Sequence, residues 1–336
     1  MASRPVVQPF TRRSQRAAEA LTLWLAVLSP VAAQPTPGFD CAKATTSIDR
    51  LICSDQDLAA LDRKLTERYV QLRDRLSPEG LTVLRDSQRK WLAGRKECMT
   101  GTTAALCLSS QYTDRTNDLA AQYKTAGTLS IENRETDRRI ARLRVDESDS
   151  FPWMVGTPQA RADAFNHYIA ERLNLAKGMF AVSGIKLDAR PEGDTTFSRY
   201  YEIHRFDDRL ISLQIYQFHE SYFGHGWRAE YAITWDLRRD RPLRIADIFR
   251  SDRDWRQAIY DLAMRHIHED GDFQDPESAF GPSDIDDDEA WLFDDDGAVL
   301  LLGHRERSMV GASAEVAIPY NELQPFLRPD APVVDH

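Results

Sequence analysis

Eight carboxylates fall between Asp284 and Asp296: Asp284, Asp286, Asp287, Asp288, Glu289, Asp294, Asp295 and Asp296, with no basic residue among them. Like charges at that density repel one another and strain a fold, so the run needs a use. Asp284, Asp286 and Asp288 alternate as in a calcium-binding loop, but Glu289 stands where the sharp turn of such a loop needs glycine. Asp294-Asp295-Asp296-Gly297 is turn chemistry for a hairpin. The remaining use is electrostatic. An acidic face built on Asp284, Asp286, Asp287 and Asp288 would attract a cationic partner and raise its association rate.

A second chemical candidate is HESYFGHGWR at 219–228. Glycines flank His225, and Tyr222, Phe223, Trp227 and Arg228 stand close by. The segment suits either a tight connection between strands or an exposed tip that enters a cleft, and Tyr, Trp and Arg are common interface anchors. Enzyme signatures are weaker. His266 and His268 are two apart on a predicted helix and point to different faces, so they cannot share a metal there. No G-x-S-x-G, H-E-x-x-H or phosphate-binding glycine loop occurs, and Gly311-Ala312-Ser313-Ala314 lacks the second glycine of a nucleophile elbow. A glycosidase pair of carboxylates is assembled in space and leaves no spacing signature. Nothing in the pattern calls for a metal or a cofactor.

The elements that must position these residues begin after an export signal. MASRPVVQPFTRRSQR is basic, 17–33 is a short apolar run, and Val31 and Ala33 supply the small residues of a cleavage site. Residues 1–33 are therefore expected to be removed, leaving a periplasmic or secreted chain with no membrane span. They carry four arginines and one glutamate, so their loss takes the net charge from −10 to −13. Residues 34–127 hold 14 Lys/Arg against 12 Asp/Glu, and the remainder holds 25 against 40. That asymmetry predicts a boundary near Gly127, and the acidic second part argues against nucleic acid as a partner.

All four cysteines, Cys41, Cys53, Cys98 and Cys107, lie in the first part. An even count in an exported chain reads as two disulfides. Three pairings are open, and Cys41–Cys53 with Cys98–Cys107 is favoured because each closes a short loop beside a predicted helix end. A helix follows Ser54-Asp55, with Leu58, Leu61, Leu65, Tyr69, Leu72 and Leu76 on one face. Ser77-Pro78 caps a second, with Leu81, Leu84, Gln88, Trp91, Leu92 and Arg95 together. A third is predicted over 103–124, with Leu106, Tyr112, Leu119 and Tyr123 inward. The polar 128–139 stretch reads as a linker. Beyond it, 140–145 reads as a strand, 151–159 as a loop and 160–175 as a helix. Strands then follow at 200–206, 210–218 and 228–236, a helix at 255–268, and two strands about Asp296-Gly297. The class is α+β in two domains: a small disulfide-stapled all-α domain (34–127), then an antiparallel sheet with packed helices (140–330).

FDCAKATTSIDRLICSDQDLAALDRKLTERY, with Q-R-x-W-L-x-x-R-x-x-C from Gln88 to Cys98 and Tyr112 and Arg115 beyond, resembles the LprI-type lysozyme-inhibitor domain. The motif residues are Gln88, Trp91, Arg95, Tyr112 and Arg115. They can equally form a helix seam, an aromatic ring with its hydrogen-bonding partners. Pro152, Gly156, Asn166 and Ile169, with YYEIHRFDDRLISLQIYQFHESYFGHGW, AITWDLRRDRPLRIADIF and EVAIPYNELQPFL, resemble the extracellular region of RsiV-like proteins, which bind lysozyme. This chain lacks the anti-sigma segment and transmembrane helix of those proteins. Both resemblances imply a cationic muramidase as partner, with peptidoglycan as a second candidate. The tip would then set His225 or Arg228 against the lysozyme carboxylates while Tyr222 and Trp227 fill sugar subsites. The expected function is lysozyme binding and inhibition, not catalysis. The alternatives are a sensing or peptidoglycan-binding module and a cell-wall hydrolase or deacetylase.

Overall fold

Every helix start in the first part but one has a side-chain acceptor for its free amide groups. Thr46 and Asp49 form a reciprocal box at α1 (Ser47–Ser54), Asp55 accepts from Asp57 and Leu58 at α2 (Gln56–Arg73), and Ser77 accepts from Gly80 at α3 (Pro78–Gly94). The fourth helix, α4 (Ala104–Ala121), has no side-chain cap and is held instead by a disulfide at its first turn. The computed structural model describes residues 35–101, 103–185, 193–221, 226–252, 254–271, 280–303 and 314–334. The expected export signal, residues 1–33, lies outside them.

The four helices enclose Ile52, Leu58, Leu65, Leu84, Leu108, Tyr112 and Leu119. Cys41–Cys53 and Cys98–Cys107 are both formed, with Cα atoms 5.9 and 5.5 Å apart. Two expected core residues are outside. Leu106 is 73% exposed and Leu92 43%. The buried stripe of α4 runs through Leu108, Tyr112, Arg115 and Leu119, steps of four, three and four, and Leu106 is about 120° away from it at 100° per residue. The helix also stops at Ala121, three residues short of its predicted end, and 124–126 pairs as a strand.

Seven strands follow one another in spatial order: β1 (Lys124–Ala126), β2 (Leu129–Ile140), β3 (Val145–Gly156), β4 (Thr195–Phe206), β5 (Leu210–Ser221), β6 (Gly226–Asp236) and β7 (Arg241–Pro242). All neighbours are antiparallel except β3 and β4. Thus 128–139, expected as a linker, is a strand in register with β3 from Leu129↔Gly156 to Ile140↔Val145. Its polarity hid it, because a carboxylate does the work of an apolar contact there. Glu132 is fully buried and accepts hydrogen bonds from the Ser77 N–H (2.7 Å), the Ser77 hydroxyl (2.6 Å) and Arg134 (3.0 Å), so the sheet caps the start of α3. Residues 35–336 accordingly form one compact unit.

Residues 140–145 are not one strand: Ile140 ends β2, Val145 begins β3, and 141–144 lie between. They are the reversal between β2 and β3, a 3-10 turn at Ala141–Leu143 closed by Arg144 in the left-handed region (φ 52°). The expected loop at 151–159 is the end of β3 and the entry to α5 (Gln159–Arg172). Pro152 is tolerated because β3 pairs with β4 only over 145–149, which leaves an edge beyond. At that edge Asn166 of α5 accepts from Met154 N–H (2.7 Å) and donates to its carbonyl (2.8 Å), replacing the missing strand. Ala162, Phe165 and Ile169 then pack on Ile211, Leu213, Ile215 and Trp235.

A three-stranded antiparallel sheet, β8 (Trp291–Phe293), β9 (Gly297–Leu302) and β10 (Ala314–Pro319), makes a second core with helix Trp255–Asp270 around Ile259, Ala263, Trp291, Leu300 and Ile318. Asp294 accepts from the Asp296 and Gly297 amides (2.9 and 2.6 Å), so the turn expected from the sequence is made. The class is α+β, helices first and a mostly antiparallel sheet after. Among the described residues no helix is long and apolar enough to cross a membrane.

Candidate functional site

Helices α2, α3 and α4 bring the five motif residues into one seam. Trp91 meets Tyr112 edge to face at 5.0 Å, and the Arg95 guanidinium lies 5.1 Å from the Trp91 ring centre. Arg95 donates to the Tyr112 hydroxyl (2.5 Å), which donates to Asp62 (2.7 Å), and Asp62 accepts in turn from the Gly38 amide (2.8 Å). One turn along α4, Arg115 donates to Gln88 (3.2 Å) and Ser87 (2.8 Å). Tyr112 is fully buried and Arg115 nearly so. Burial, then the neighbouring Asp62 charge, pushes the Tyr112 phenol above its ordinary pKa, so it stays a proton donor. Burial lowers that of Arg115. Most donors and acceptors of the seam are spent on one another, though the Arg95 Nε is buried without a partner, and half-buried Trp91 and Arg95 lie at its surface.

Asp62 was not anticipated. A signal existed, since Asp62 sits between Leu58 and Leu65 on the buried stripe of α2, where a carboxylate must find a partner.

Of the segment 219–228, residues 219–221 end β5 and 226–228 begin β6, and the two strands pair up to Glu220↔Gly226. Tyr222, Phe223 and His225 lie outside the described residues. Trp227 and Arg228 are described, and adjacent positions on a strand face opposite ways. Trp227 packs with Val145, Met179 and Phe197 and stacks 5.9 Å from His219. Arg228 is half exposed on the other face, 2.9 Å from Glu230 and over the rings of Tyr216 and Phe218.

The acids at 284–289 are largely committed to their own fold. Asp284 accepts from Gly281 N–H (2.6 Å), Asp287 from Glu289 N–H (3.1 Å), and Asp288 from Ile245 N–H (2.7 Å) at the start of the short helix Ile245–Ile248. Asp286 pairs with Arg256 at 2.8 Å. Glu289 accepts from Arg172 Nε (2.9 Å), whose guanidinium covers Tyr231 at 4.7 Å. Asp295 and Asp296 remain exposed at the β8–β9 turn. Among the described residues, no group of three or more His, Cys, Asp or Glu side chains is placed to hold a metal ion.

Residues 41–144 match the family described as Lysozyme inhibitor LprI. The match takes in the four helices, both disulfides and β2. Over 88 residues the chain is 32% identical to Lipoprotein LprI of Mycobacterium bovis and, to the same extent, of Mycobacterium tuberculosis. That overlap is 26% of this chain, and it spans 43% of the length of those curated relatives. Two solved structures overlap 62% of the chain: a member of the DUF3298 family from Bacteroides fragilis (17% identity, 96% of that chain, TM-score 0.44) and a DUF3298 family protein from Pseudomonas aeruginosa (14%, 97%, TM-score 0.45). Those scores are too low for a shared fold to follow.

Proposed function

We propose that this protein is exported, binds lysozyme and inhibits it by occluding the catalytic cleft, so protecting the cell wall. The observation that carries the proposal is the match of the disulfide-stapled region 41–144 to a lysozyme-inhibitor family. The resemblance of 140–330 to lysozyme-binding ectodomains supports the same partner, as does the net charge of −10, since lysozymes are commonly basic. Export agrees with the amino-terminal sequence, with two disulfides and with relatives named as lipoproteins. The reading assigns the protein no catalysis and no cofactor.

Turbidity clearing of a cell-wall suspension tests this directly. Adding the purified protein at a stoichiometric excess over lysozyme should stop clearing. Undiminished clearing with co-elution of the two proteins would favour a sensor, and clearing by the protein alone would favour a hydrolase.

A further inference from the structure

The sheet face opposite α5 carries an aromatic and acidic grid between β4, β5 and β6. The register sets Tyr200 beside Tyr216 beside Glu230, with Phe218 beside Arg228 in the next row and Glu202 beside Gln214 in the row on the other side. These positions alternate with Tyr201, Ile215 and Tyr231, which face the α5 core, so the grid faces away from it. Tyr200 stacks on Tyr216 at 4.6 Å and on Phe218 at 5.6 Å and is 37% exposed, one of few large apolar rings left open.

The polar atoms of this face are not all satisfied. Tyr216 is 92% buried as a residue, but its hydroxyl is not among the buried unpartnered atoms and makes no hydrogen bond among the described residues, so it is left to solvent. The register sets Tyr216 beside Glu230, and besides burial the charges of Glu202, Glu315 and Glu230 raise its pKa. Glu202 is half buried and makes no hydrogen bond or ion pair among the described residues. Glu315 has the amide of Gln214 (2.7 Å), an amide also within 3.3 Å of Glu230. Among the described residues, one ion pair reaches the three carboxylates, Arg228 with Glu230. A half-buried carboxylate without a partner is costly in isolation. A donor carrying positive charge would satisfy Glu202 and reach the open Tyr216 hydroxyl, and flat aromatic faces add a cation–π contribution.

We propose that this face, centred on Tyr200, Tyr216 and Glu202, is the docking surface that receives a lysine or arginine side chain of a basic protein partner. The identity of that partner as lysozyme rests on the function proposed above; the charge of the partner rests on the face alone. A glycan strand would also stack on the rings, but the cell-wall polymer carries carboxylates of its own, which three glutamates would repel.

Calorimetric titration of the full exported chain with purified lysozyme decides the matter, using Glu202→Gln, Tyr200→Ala and Arg228→Gln variants matched to wild type in melting temperature. Glu202→Gln and Tyr200→Ala should each weaken binding tenfold or more. Arg228→Gln, which removes the competing cation of the face, should not weaken it. Wild-type affinity in both Glu202→Gln and Tyr200→Ala would overturn the docking surface while leaving lysozyme binding intact. Absence of binding by wild type would overturn the lysozyme reading instead. The face itself is then tested with an oligo-lysine peptide, for which the same losses should appear, and unchanged peptide binding would overturn it. Binding of cell-wall oligosaccharide that falls in Tyr200→Ala but not in Glu202→Gln would replace the cation with a sugar.

Discussion

Tyr112 in the helical part and Tyr216 in the sheet are both buried phenols beside carboxylates, and they differ in one respect. Tyr112 accepts from Arg95 and donates to Asp62, so its polar atom is fully used. Tyr216 has no hydrogen-bond partner among the described residues, and the unpaired Glu202 lies near it. The residues that carry the family likeness are thus mostly bound to one another, the Arg95 Nε excepted, whereas open hydrogen-bonding capacity collects on a part of the sheet outside residues 41–144. A motif recognisable in sequence need not be the surface that touches a partner: Trp91, Arg95 and Tyr112 meet where three helices pack.

The comparison breaks most sharply on a pair of tyrosine truncations. Tyr112→Ala empties a fully buried ring position and leaves Asp62 with the Gly38 amide as its remaining donor, and should cost ~3–5 kcal/mol, as buried aromatic truncations do. Tyr200→Ala removes an exposed ring and should cost less than ~1 kcal/mol. Urea unfolding of the two variants checks this. Equal losses would mean that Tyr200 is as much a part of the fold as Tyr112, and the distinction between the two regions would fail.

A second contrast concerns pH. His219 on β5 is 93% buried between Phe197 (4.8 Å) and Trp227, and neither ring nitrogen has a hydrogen-bond partner among the described residues. Burial holds its pKa below the ordinary histidine value. The fold therefore favours the neutral ring, and this contribution to stability is complete above the unfolded pKa of about 6.5 and lost as pH falls through the folded one. Stability should decline by at most about 1.4 kcal/mol for each pH unit below about 6.5 on account of this residue. His219→Leu should flatten that limb of the curve. Identical acid limbs in the variant and wild type would show that the ring takes up its proton equally in the folded and unfolded states.

What could be read in advance follows from where the chain keeps its apolar period. Three of the four helices of the first part, the caps of two of them and the two disulfides were legible because Leu58, Leu65 and Leu72 recur at heptad steps between acceptors such as Asp55 and Ser77, whereas α1 with its Thr46 and Asp49 box is too short to show a period. Strand β2 was not legible, because its buried side chains at 132 and 133, on opposite faces, are Glu and Asn, whose burial is offset by Ser77, Arg134 and Ser150. The acid run was visible, but its use was not, since nothing in the spacing says that Asp288 accepts from Ile245, 43 residues away. The aromatic face had a trace in sequence, Tyr200 two before Glu202 and Tyr216 two before Phe218, but only the β4–β5 register joins them.

The smallest expected effect belongs to the acids. Asp284, Asp287 and Asp288 accept backbone hydrogen bonds and Asp286 holds Arg256, so neutralising those four would confuse loss of structure with loss of charge. Asp295 and Asp296 give the cleaner experiment, because both are exposed on a turn whose geometry is held by Asp294. The double change Asp295→Asn/Asp296→Asn should leave stability within ~0.5 kcal/mol, as surface substitutions usually do. If the acidic side steers a basic partner, association should slow at low salt and depend less on ionic strength, while dissociation stays the same, because charges at a rim act on encounter. Screening over about 10 Å at 0.1 M salt should erase the difference at higher salt. Association rates measured from low salt to a few tenths molar separate the cases. Parallel salt slopes for variant and wild type would show that these acids serve the turn alone, and would leave the paired aromatics and glutamates of the sheet to account for any attraction.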